Sequence, residues 1–126
     1  MKLEQLKTFE DACELLNLDH GHSDFGLFPE HKRETIKAML MLFIIIRAAN
    51  QIANNGKEWL PDLSNDNEYK CYPLFEINGS SFQHIGFDVW RTNSDISYRH
   101  CFISDEVGEY IVTKFIDLYK KMLAKS

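Results

Sequence analysis

Residues 30–54 read EHKRETIKAMLMLFIIIRAANQIAN, and no other stretch restricts the fold as strongly. Lys37 and Arg47 bracket nine consecutive apolar residues, Ala38 to Ile46. At about 100° per residue, nine positions cover every side of a helix. A helix apolar all round has to be buried on several sides, as the central post of a fold or in a dimer interface. The isoleucine run alone would suit a strand, but Ala38, Met39, Leu40 and the RAANQIA continuation favour helix. Asn54-Asn55-Gly56 supplies a left-handed stop. Of Leu42, Phe43 and Ile46, at least two are expected to be fully enclosed.

The other elements arrange themselves around this post. Residues 4–17 carry Leu6, Phe9, Ala12, Cys13 and Leu16 at helical spacing, with Thr8 as an internal N-cap if the helix starts later. Asn17 to Phe28 reads as a loop, and Pro29 suits a first helical turn. The connector LPDLSNDNE (60–68) is rich in turn formers. Beyond it the period changes to two. YKCYPLFEI (69–77) is a strand that Pro73 restricts to an edge or a bulge. Asn78-Gly79 signals a hairpin turn. A second strand covers 87–92, starting as early as Phe82 with Gly86 as a bulge, and SYRHCFI (97–103) is a third. Ser104 caps a last helix with Val107, Ile111, Phe115, Leu118 and Met122 on one side. The expectation is an α+β domain: two N-terminal helices, a three-stranded antiparallel meander and one C-terminal helix on the sheet. We expect a single domain over 1–126, with a helical part (1–56) and a β-β-β-α part (68–126).

Charge and cysteine content limit the function classes. The net charge of −5 divides as −2 over residues 1–60, −2 over 61–67, −1 over 68–104 and 0 over 105–126. No segment is basic, which argues against duplex binding. Cys13, Cys71 and Cys101 are far apart and odd in number, as suits free thiols in a reducing compartment. The segment MKLEQLKTFEDACELL lacks the apolar core of a signal peptide, and the nine-residue run is short of the roughly 20 residues that span a bilayer. A cytoplasmic protein is expected.

Three stretches, TFEDACELLNL, EWLPDLSNDNEYKCYPLFEI and YRHCFISDEVGEYIVTKFIDLYKKML, occur in this order. Together they resemble a family of small uncharacterised proteins of phages, prophages and mobile elements of gut bacteria (Bacteroidetes). The resemblance covers most of the chain. Its most specific part pairs a Tyr-Pro-aromatic strand with a Cys-Phe-x-Ser strand leading into a Tyr-rich helix. Relatives usually carry Trp where this chain has Leu74, and Lys where it has Ile103. The resemblance implies an accessory role and no catalytic residues, and the HGH stretch is not part of the recurring pattern.

Several residue groups are candidates for chemistry. Asp19, His20, His22 and Asp24 include an H-x-H pair with flanking carboxylates, the donor types of a zinc site. Gly21 and Ser23 and the lack of a closing ligand make a solvated connector the preferred reading, with no metal and no cofactor. Pro61-Asp62 with Glu68-Tyr69-Lys70 imitates a metal-dependent nuclease pattern, but the gap is too short to put the acids on two paired strands. His100 and Cys101 are strand neighbours that point to opposite faces, and Cys101 with His84 across strands is not singled out. The aromatic sheet residues Tyr69, Tyr72, Phe75, Phe87, Trp90, Tyr98 and Phe102 could stack bases, but the sheet has no basic groove. With a two-residue turn at Asn93-Ser94, Asp88 faces Arg99 and Trp90 shares their face. That trio is the preferred partner-binding patch. The leading expectation is a non-enzymatic interaction protein, with self-association through the 30–54 helix as one route. A nucleic-acid accessory protein using the aromatic sheet face is the alternative, and a metal-dependent hydrolase is third.

Overall fold

The computed structural model describes residues 1–19, 30–92, 94 and 98–123. A 3-10 turn, Leu3–Gln5, precedes helix α1 (Phe9–Leu15). The single helix expected over 4–17 is split because Thr8 caps a later start. Its side chain accepts from Asp11 N at 3.1 Å, and Asp11 Oδ2 accepts from Thr8 N at 3.0 Å, a reciprocal capping box. The bond Asp11 accepts from Lys7 N is the largest of the contacts that lower its carboxyl below the usual range. α1 stops at a left-handed Asn17, φ +57°, with Leu18 N donating to Cys13 O at 2.8 Å.

Helix α2 (Glu30–Ala53) is the long element expected. It ends by the same device, with Asn55 at φ +60° and Gly56 N donating to Gln51 O at 2.9 Å. Leu42 (0 % exposed) and Ile46 (1 %) are enclosed, as expected of two of the three residues named above, while Phe43 is half-buried. The helix containing the nine-residue run is, over Lys32–Ala53, long and apolar enough to cross a membrane by length and composition. In the fold α2 packs against α1 and against two C-terminal helices, α3 (Asp105–Lys114) and α4 (Ile116–Leu123).

Two strands, β1 (Cys71–Asn78) and β2 (Ser81–Val89), form an antiparallel hairpin. The turn sits one residue later than the Asn78-Gly79 signal suggests. Asn78 pairs with Ser81, and Gly79 takes φ +59° at the first central position, where the II′ hairpin turn requires glycine. The register shifts after Leu74, which faces Gly86, while Phe75 faces His84. Ile85 is therefore the extra residue of a bulge, and Gly86 (φ +148°) follows it. Both strands are sheet edges, so Pro73 forfeits no interior ladder bond.

The third strand of the expected meander is absent among the described residues. Tyr98–His100 is a 3-10 turn, and Phe102 makes one isolated bridge to Cys71 of β1. Asn50, buried on α2, supplies much of what a partner strand would. Its Nδ2 donates to Cys101 O at 3.0 Å and its Oδ1 accepts from Ile103 N at 2.9 Å. The backbone of 101–103 is satisfied by a helix side chain and by β1, so it never pairs with β2. The sheet remains two-stranded and the class remains α+β.

The C-terminal helix is also broken, at Phe115 (φ −115°, ψ +28°). Val107, Ile111, Phe115 and Tyr119 recur every four residues, which would rotate a straight helix's apolar stripe by about 120° over that span. The break rephases it, and all four are buried. Gly108 is buried because it has to be small: a Cβ there would lie 2.5 Å from the Phe87 ring. Phe75, Phe82 and Phe87 on the inner sheet face pack against this layer, with Phe75 5.1 Å from Tyr119.

Candidate functional site

The last turns of α2 carry Phe43, Ile46, Arg47 and Asn50 at helical spacing, so they share one side. The reversal at Asn55-Gly56 brings the chain back along that side. Asn54 Nδ2 holds the return by donating to Lys57 O (3.2 Å) and Glu58 O (3.4 Å). Arg47 Nε then meets Glu58 Oε1 at 3.6 Å, with both side chains 49 % exposed. Trp59, Leu60 and Pro61 line the same concavity, together with Tyr98, Arg99 and Cys101. The result is a cleft of about 390 Å³. Leu60, at 74 % exposure, stands open at its rim. The Arg99 guanidinium lies 5.1 Å above the Tyr98 ring. Behind the cleft, His100 meets Phe43 edge-on at 4.7 Å, and burial pushes its pKa down.

The trio expected as a partner patch does not assemble. Arg99 lies in the 3-10 turn at the cleft, whereas Asp88 lies on β2, where its carboxylate accepts from Tyr72 Oη at 3.3 Å. Among the described residues, no third strand pairs Asp88 with Arg99. Trp90 is 7 % exposed, with the Lys70 ammonium 5.7 Å from its ring. Asn93 lies outside the described residues, so the turn expected there is not described.

The nuclease-like residues do meet, within one loop. Lys70 is fully buried, and its Nζ donates to the carbonyls of Asn65 (2.8 Å), Asp62 (3.1 Å) and Glu68 (3.3 Å), with the Glu68 carboxylate 3.6 Å away. Three N–H donors thus find three acceptors. Glu68 Oε1 accepts from Asp62 N at 2.9 Å. The Asp62 carboxylate accepts from Ser64 Oγ at 2.7 Å and Ser64 N at 3.0 Å, and these bonds lower its pKa. Both acids and the lysine are engaged in closing the 62–70 loop. Of the H-x-H group, Asp19 is exposed, and His20, His22 and Asp24 lie outside the described residues. Among the described residues, no three His, Cys, Asp or Glu side chains come together to hold a metal ion.

The thiols are poor nucleophiles. Burial pushes Cys71 and Cys101 up to about 12, so both are protonated near neutral pH. Tyr69 Oη donates to Asp105 Oδ1, and that bond raises the phenol further from ionisation. His84 sits beside Glu109 (Nδ1 to Oε2 3.6 Å) and the Gly86 carbonyl (Nε2 to O 2.9 Å).

The chain matches no protein-family model, no curated protein and no solved structure. Sequence reading reached Arg99 but missed Arg47, Trp59, Leu60 and Tyr98 as cleft residues. The available signal was Trp59-Leu60, two large apolar side chains at the head of a polar connector.

Proposed function

We propose that this is a non-enzymatic protein that works by binding a protein partner in the cleft between α2 and residues 58–61. The observation that carries this reading is the composition of the cleft. Trp, Tyr and Arg are the residue types that dominate binding energy at interfaces, and here Trp59, Tyr98, Arg47 and Arg99 line one concavity with an exposed Leu60. A non-enzymatic role is supported by the protonated, buried thiols and by the use of Asp62, Glu68 and Lys70 to close a loop. The resemblance to small phage and mobile-element proteins supports an accessory role. A cytoplasmic location is supported by α2 committing Leu42, Ile45, Ile46, Ala48 and Ala49 to its own core.

Leu60→Asp tests the reading, because so exposed a side chain is dispensable for folding. Affinity capture from host cells with wild type and with Leu60→Asp should retain a partner on the first only, with affinity at least about tenfold lower for the variant. Equal retention by both would remove the cleft from the interface. Sedimentation of the pure protein completes the test. A dimer that dissociates in Leu60→Asp would make the partner a second copy of the chain.

A further inference from the structure

The chemistry of the partner follows from how Arg47 is held. It meets Glu58 through Nε, on the side of the guanidinium. The contact with Glu58 is made at Nε and not at the two terminal amino groups, the planar fork that grips a carboxylate with parallel N–H···O bonds. At 3.6 Å, with both side chains 49 % exposed, this ion pair is weak, and a ligand carboxylate can compete for the guanidinium. Arg99 also lines the cleft, with its guanidinium 5.1 Å from the Tyr98 ring. Two guanidinium groups and one carboxylate therefore line the cleft of a chain whose net charge is −5. Phe43, Trp59 and Leu60 line the same cleft and offer apolar surface and no charge.

We infer that the occupant is a short peptide segment of the partner in which an apolar side chain is flanked by carboxylates. This rests on the partner-binding reading above. The apolar side chain fills the trough at Phe43, Trp59 and Leu60, and a carboxylate takes the Arg47 fork. Nucleic acid has anionic oxygens of suitable geometry, but its affinity grows with the number of phosphates neutralised. Two arginines on a chain with no net-positive segment supply little of that.

A random dodecapeptide display library, selected on wild type and counter-selected on Leu60→Asp, reads the preference directly. Enriched sequences should carry Asp or Glu within two positions of Leu, Phe or Trp. A synthetic copy of the best sequence should bind about tenfold more weakly when its acids become amides, the usual effect of losing a charge-assisted bond. Arg47→Gln should remove that difference. Enrichment of basic or uncharged sequences would overturn the carboxylate assignment and leave the cleft as an interface. So would an acid preference that survives Arg47→Gln, or a single-stranded oligonucleotide that binds the cleft more tightly than the peptide. Failure to enrich anything over the Leu60→Asp control overturns the inference. The partner-binding reading falls with it only if partner capture is also insensitive to Leu60→Asp.

Discussion

Helix α2 and the 62–70 loop are each organised around fully buried side chains, and they are held by opposite means. α2 is fixed by apolar surface: Leu42, Ile45 and Ile46 are enclosed by α1, α3 and α4. The loop is fixed by a buried cation, Lys70, whose donors are matched one for one by backbone carbonyls. Apolar packing is redundant, since each contact is weak and many share the load. A buried ammonium has a few strong partners and no substitute for them. The two regions should therefore fail differently: α2 globally, the loop locally.

The largest effect is expected from the helix. Ile46→Ala should lower stability by about 2–5 kcal/mol, from lost transfer energy plus the cavity left behind. Denaturant melts with an unchanged m-value at two protein concentrations check it. A loss under about 1 kcal/mol would make α2 peripheral, and a midpoint that rises with concentration would place part of its apolar surface between subunits. Lys70→Met should cost less, about 1–3 kcal/mol, because the freed carbonyls are near enough to solvent to rehydrate. Its signature is local: amide exchange should rise across the 62–70 loop while α2 stays protected. Equal loss of protection in both regions would erase the contrast between them.

The contrast also marks how far the sequence could be read. α2 was legible because its information is periodic and lies in one stretch, with its stop at Asn54-Asn55-Gly56. The hairpin, its Gly86 bulge and the Thr8 and Ser104 caps were legible for the same reason. The third strand was misread because SYRHCFI has strand composition, and only Asn50, half the chain away, shows that its backbone is satisfied elsewhere. The break at Phe115 had no glycine or proline to announce it. At the cleft, local pattern puts Arg99 on a sheet face and makes Arg47 one end of an apolar run. Their convergence depends on the chain reversal after α2, which local patterns do not encode.

Two smaller effects sharpen the comparison. His100 is buried against Phe43 with a lowered pKa, so the unfolded chain binds its proton more readily than the native one. Stability from this group is fully present above the ordinary histidine value, near 6.5, and is lost as pH falls through that value toward the folded one. Melts between pH 7.5 and 5 should show stability falling with acid, by at most about 1.4 kcal/mol per pH unit from one proton. His100→Gln should flatten that slope, and an unchanged slope would assign it to other groups. Smallest is Tyr119→Phe. The Tyr119 hydroxyl is buried and has no hydrogen-bond partner among the described residues, so removing it should leave stability unchanged or raise it by up to about 1 kcal/mol. A clear loss on melting would reveal a bound water or a partner for that oxygen.

The Tyr110 hydroxyl ties α3 to the start of the chain. It reaches the carbonyls of Leu6 at 3.0 Å and Glu4 at 3.3 Å, across 104 and 106 residues. During synthesis, at roughly 5–20 residues per second, Glu4 and Leu6 emerge about 5–20 seconds before Tyr110. Seven residues are too few for α1 to persist alone in water, but its packing partner, α2, follows it closely in the chain. The turn at Leu3–Gln5 thus gains its ties to the fold in two steps, to α2 early and to α3 late.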